Sequence, residues 1–155
     1  MTKTTLRSNW QWARRCIDAA TSELGELEFD VKVDLNYKAG VSKAKAIEAA
    51  QVLWTRVDRQ CTNTKSRQIQ RLCSLEGASK GGNWHYHCVL KAEGMTAEQL
   101  LALIEKEWST ISESGRYSKF ELIDQTREER LLSYVLKDWA HDALCEVTTT
   151  VLGGS

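Results

Sequence analysis

Proline is absent from the chain altogether. No Pro-rich spacer, no Ser/Gly-rich linker and no internal repeat divides the sequence, so a single domain over residues 1–152 is expected. Gly153-Gly154-Ser155 reads as a tail. No run approaches the roughly eighteen apolar residues of a membrane-spanning helix, and no membrane partner is expected. Met1 to Thr5 carries a charge but no apolar segment, so the reading is a cytoplasmic protein without a secretion signal. None of the five cysteines (Cys16, Cys61, Cys73, Cys88, Cys145) forms a C-x-x-C pair. In a reducing compartment they read as small core residues, not as a disulfide frame or a zinc site. Net charge is also lacking, with 21 basic and 21 acidic side chains. That balance argues against a protein that coats nucleic acid without selectivity.

What is present is enough for a folded core: 155 residues, 42% of them apolar, with six tryptophans. Trp10, Ala13, Ile17 and Ala20 recur at helical spacing and predict a helix over 5–21. Leu27 to Asn36 alternates apolar and polar residues, as a half-buried strand does. Ser42 caps a helix whose stripe is Ile47, Ala50, Trp54 and Val57. Arg67 to Glu76 and Trp84 to Lys91 read as two strands joined through Gly77 to Gly82, a hairpin. Thr96 with Gln99 forms a capping box for a helix to about Trp108. Lys119 to Asp124 is a short strand, and Thr126 with Glu129 opens a last helix to about Leu144. From residue 27 the order is β-α-β-β-α-β and then a helix. This predicts an α+β, ferredoxin-like split βαβ fold, with an antiparallel sheet backed by helices and an extra helix at each end.

Two of only three histidines lie in Trp84-His85-Tyr86-His87-Cys88. Residues i and i+2 of a strand share a face, so His85 and His87 project together while Trp84, Tyr86, Cys88 and Leu90 take the opposite, helix-packed side. A turn centred between Lys80 and Gly81 sets Glu76 opposite His85, Leu75 opposite Tyr86 and Cys73 opposite Cys88. Cross-strand partners share a face, so Glu76 joins the histidine pair. A His, His, Glu cluster suits a divalent ion, with Mn²⁺ or Mg²⁺ favoured and zinc a further option.

The last helix carries Leu132, Val135, Leu136, Trp139 and Ala143 on one face. Tyr134 lies on another, with Arg127, Arg130, Lys137, Asp138 and His141 within about 60° of it. A phenol, with a pKa of about 10, needs cations to act as a nucleophile near neutrality. Lys137, one turn away, can stabilise the phenolate or a phosphate oxygen. Attack by Tyr134 on a phosphodiester would conserve the bond as a phosphotyrosine and release a 3′-hydroxyl. The stretch from Arg56 to Lys80 adds a phosphate track that includes Arg67, Arg71 and Lys80. Together with Arg127, Arg130 and Tyr37, these are the candidate nucleic-acid contacts.

In this combination the residues resemble the replication-initiator (Rep) branch of the HUH endonucleases. His85-Tyr86-His87 is similar to the histidine–hydrophobe–histidine motif, and Tyr134-Val135-Leu136-Lys137 to the Tyr-x-x-Lys motif. Glu76 takes the usual upstream ligand position, and Asp138 resembles an acidic residue that helps position the cation in some members. Val33-Asp34-Leu35-Asn36-Tyr37 is a loose match to the first motif. The resemblance covers about residues 27–144. It implies nicking and joining of single-stranded DNA at an origin stem-loop through a 5′-phosphotyrosine, in rolling-circle replication of a virus, phage or plasmid. It also implies work beside a host helicase and polymerase, wherever the replicon resides. Two alternatives share parts of this pattern. A single-tyrosine transposase has the same motif order but typically a glutamine one turn after the nucleophile. A non-catalytic ferredoxin-like module would stack bases on Trp84, Tyr86 or Tyr37.

Overall fold

Within Val31-Lys32-Val33-Asp34-Leu35-Asn36 the alternation takes its expected form. Strand β1 (Val31–Asn36) buries its odd positions completely and leaves its even ones half-buried. A computed structural model describes residues 29–62, 69–77, 83–123 and 146–150. After β1 come helix α1 (Lys43–Thr62), strands β2 (Arg71–Glu76) and β3 (His85–Leu90), helix α2 (Ala97–Ser109), and strands β4 (Lys119–Leu122) and β5 (Glu146–Thr150). The predicted helices at 5–21 and 126–144 lie outside the described residues.

Local chemistry sets the helix starts. Ser42 Oγ accepts from Lys45 N–H at 3.2 Å, filling one of the orphan donors of the first turn of α1. At α2 both arms of the capping box form: Gln99 N–H donates to Thr96 Oγ1 at 3.1 Å, and Thr96 N–H to Gln99 Oε1 at 3.0 Å.

The strands form a five-stranded sheet in the order β4-β1-β3-β2-β5, each neighbouring pair antiparallel. β1 and β2 therefore run in the same sense with β3 reversed between them, and α1 connects them. By the same logic α2 connects β3 to β4 across β1. Two split βαβ units thus interlock in an α+β fold. Strand β5 was not foreseen. It adds to the outer edge of β2, from Leu75↔Glu146 to Arg71↔Thr150.

One sheet face holds the main core. Val31, Val33, Leu35, Cys73, Leu75, Tyr86, Cys88 and Leu90 pack there against Leu53, Trp54 and Val57 of α1 and Leu100, Ile104 and Trp108 of α2. Each large apolar group removed from water on this face stabilises the fold by about 1.5–3 kcal/mol. The opposite face is polar toward one end, with Asp34, Asn36, Ser74, Glu76, His85 and His87 in alternate positions. Further along the same face Leu72 and Val89 are buried.

The connection from α2 to β4 folds back on the end of β1. Gly115 N–H donates to Asn36 O at 2.7 Å, Lys38 N–H to Glu113 O at 3.0 Å, and Tyr37 bridges to Ser114. The approach is close enough that a Cβ at Gly115 would lie 2.8 Å from Tyr37 O. This loop therefore sits at the same end of the sheet as the polar cluster.

Candidate metal centre

Register alone brings the three expected ligands together. Glu76 is the Cα partner of His85 across the β2–β3 ladder, and Ser74 that of His87. Glu76 Oε2 consequently reaches both imidazoles, at 2.9 Å from His85 Nε2 and 3.0 Å from His87 Nε2. The two rings stand edge-to-face, with centroids 4.8 Å apart. All three side chains are largely withdrawn from water, Glu76 the most at 2% exposure. Among the described residues this is the group of His, Cys, Asp or Glu side chains able to hold a metal ion, its donor atoms all within 4.8 Å of one another.

The far nitrogens of both rings are also anchored. His87 Nδ1–H donates to Asp34 Oδ1 at 2.6 Å, across the β1–β3 pairing of these two residues. His85 Nδ1–H donates to Asn83 O at 3.2 Å. Each imidazole thus faces an acceptor on both sides, while a neutral ring has only one N–H. The conflict has two resolutions: extra protons, or a cation between the Nε2 atoms and the carboxylate. Without a metal, protons fill the role at His87. Burial alone would push its pKa down, but the hydrogen bonds and charges of Asp34 and Glu76 outweigh it and raise the value to about 9. Asp34 shifts the other way: burial would raise it, yet the His87 hydrogen bond and charge, aided by Lys32 and Lys119, hold it below the ordinary carboxylate value.

With a cation present, the same geometry supplies two imidazole nitrogens and a carboxylate oxygen, each oriented by a partner behind it. An imidazole whose Nδ1–H is fixed by a carboxylate or carbonyl presents Nε2 as the basic atom, the arrangement common at metal-ligating histidines. The donor set therefore fits a divalent ion.

Asp34 is the site residue that sequence reasoning missed. Its signal was legible in principle: in β1 it falls on the polar face, opposite Val33 and Leu35. Its pairing with His87, however, depends on the β1–β3 register, which no turn sequence reports. Two other candidates prove to have structural duties. Arg71 Nη1 bonds Asp58 Oδ1 at 3.0 Å and Ile69 O at 3.1 Å, and its guanidinium lies 5.2 Å from the Trp54 ring centroid. It is a largely buried ion-pair member, not an open phosphate contact. Tyr37 packs edge-on against Trp108, with centroids 5.3 Å apart, and its hydroxyl donates to Ala46 O at 2.7 Å, so the ring is committed to the core and not displayed for stacking. Tyr134, Lys137, Asp138, Arg127, Arg130, Arg67, Lys80 and His141 lie outside the described residues.

Compared with protein-family models, curated proteins and solved structures, the chain matches none.

Proposed function

We propose that this chain is a metal-dependent nickase and strand-transferase for single-stranded DNA, of the HUH Rep type. The observation that carries the reading is the convergence of His85 Nε2 and His87 Nε2 on Glu76 Oε2, in the register the motif reading requires. Bound there, a divalent ion, Mn²⁺ or Mg²⁺, would act as a Lewis acid on the scissile phosphate. The protein's own part begins with orientation: Asp34 and the Asn83 carbonyl hold the two imidazoles so that their Nε2 atoms face one point. Tyr134 is the proposed nucleophile. Its phenolic oxygen forms the bond to phosphorus, the bond to the 3′-oxygen breaks, and that oxygen takes up a proton as the 3′-hydroxyl. Lys137 would stabilise the phenolate or a phosphate oxygen, and Asp138 would assist at the cation. Rejoining is the reverse, with the 3′-hydroxyl attacking the phosphotyrosine. Origin stem-loop recognition, rolling-circle replication and a host helicase and polymerase as partners follow from the resemblance and belong to the same proposal.

Of the aromatics named for a stacking module, Tyr86 is 5% exposed and Tyr37 is packed on the core, while Trp84 is half-buried. The decisive experiment incubates the protein with Mn²⁺ and single-stranded origin DNA, followed by a denaturing gel. A covalent protein–DNA band is expected, lost with Tyr134→Phe or EDTA. Its absence from the wild-type reaction refutes the nickase; transfer between two hairpins by a stable dimer would point to the transposase instead.

A further inference from the structure

The basic surface expected between Arg56 and Lys80 is partly spent on structure. Arg71 is held by Asp58, and Arg56 by Thr110 at 3.0 Å and Glu107 at 3.8 Å. A different set of cations lies at the metal end of the sheet. Lys38, Lys45, Arg116 and Lys119 are all exposed there, with Glu105, Glu113 and Glu121 and the half-buried Asp34, cross-strand partner of Lys119, as the acidic neighbours. The exposed cations Arg116 and Lys119 flank an aromatic in this stretch of chain. Among these groups stands Tyr117, 81% exposed.

The loop that presents Tyr117 is tightly held. Asn36 Nδ2 donates to Tyr117 O at 2.7 Å, and Ser118 Oγ accepts from Asn36 N–H at 2.9 Å and from Trp108 Nε1 at 2.8 Å. Asn36 is itself the Cα partner of His85. The backbone that carries the exposed aromatic is therefore fixed to the residue beside a candidate metal ligand. Next to it runs a groove of about 300 Å³, lined by Ser109, Ser114, Arg116 and Ser118 among others.

Resting on the nickase reading, we infer that loop 112–118 is a platform for single-stranded DNA flanking the metal centre, with Tyr117 stacking on a base and Arg116 and Lys119 meeting phosphates. An aromatic left in water contributes nothing to the core, whereas stacking on a base is favourable for any of the four bases. The cations supply the salt-dependent part of the affinity.

Fluorescence anisotropy tests this in EDTA, where no cleavage intervenes, using a short labelled single-stranded oligonucleotide of random sequence. Tyr117→Ala should weaken binding about tenfold, Tyr117→Leu equally, and Tyr117→Phe little, because only the π-face matters. Arg116→Ala should reduce the slope of log affinity against log salt by about one. An unchanged melting temperature shows that the exposed substitution leaves the fold intact. Wild-type binding that survives Tyr117→Ala in full overturns the platform and leaves the nickase standing. A wild-type protein that does not bind the oligonucleotide also overturns the platform, while the covalent band with Mn²⁺ and origin DNA decides the nickase separately.

Discussion

Asp34 and His87, 53 residues apart in sequence, meet through a 2.6 Å hydrogen bond between neighbouring strands. That bond fixes which imidazole nitrogen is turned toward Glu76. Replacing Asp34 with Asn keeps the shape but removes the charge that makes His87 a better ligand. Divalent-ion affinity should fall about 10- to 100-fold with the fold retained. Isothermal titration with Mn²⁺ measures it, and an affinity equal to the wild type's would show that Asp34 does not orient the site.

Protons and a bound cation would compete for His87, and the sign is determined. Its folded pKa of about 9 exceeds the ordinary 6.5. In EDTA the stabilisation it provides is complete below pH 6.5 and is lost as pH rises through 9, an effect on the order of 3 kcal/mol. The melting temperature of the metal-free protein should fall across that window. Metal affinity should rise over the same range, by about tenfold per pH unit for one displaced proton. A flat affinity between pH 6.5 and 9 would contradict this.

Arg71 and Asp58 form a largely buried pair beneath Trp54. Asp58 also accepts from Ile69 N–H at 3.0 Å, so truncating Arg71 removes one of the groups that hold this carboxylate. Arg71→Ala should destabilise the fold by roughly 1–3 kcal/mol in urea denaturation, with metal affinity per folded molecule unchanged. A loss of DNA binding with no loss of stability would restore Arg71 as a phosphate contact.

Gly77 follows the candidate ligand Glu76 with φ +154°, and a Cβ there would stand 2.8 Å from Trp84 Cα and 2.9 Å from Asn83 O. Asn83 O is the acceptor that anchors His85. Gly77→Ala should therefore lower both stability, by roughly 1–3 kcal/mol, and metal affinity. Thermal melts with and without Mn²⁺ separate the two effects, and wild-type values in both would show that the hairpin end yields easily.

Much of this was legible because short-range rules decide it. The Thr96–Gln99 capping box, the Ser42 cap and the Glu76↔His85 pairing follow from spacings of a few residues, where backbone geometry leaves little choice. What escaped depends on distant partners. Asp34 acquires its role from a strand more than fifty residues away. Arg71 looked like a surface cation until Asp58 and Trp54 were placed around it. Strand β5 went unread although Val147, Thr148, Thr149 and Thr150 are β-branched, because a short run near a chain end gains strand character only when an open edge such as that of β2 receives it.

Glu76, His85, His87 and Asp34 come from three adjacent strands, two of them joined only through a helical crossover. An ion seated among them would act as a rivet through the middle of the sheet. Its three donors lie on the β2–β3 hairpin, and the non-local β1–β3 pairing adds Asp34 behind His87, so the ion would be held best in the completed fold. At a hundredfold excess over its dissociation constant it would add about 2.7 kcal/mol to the unfolding free energy of the whole domain. Metal supply would then set how long the folded protein survives.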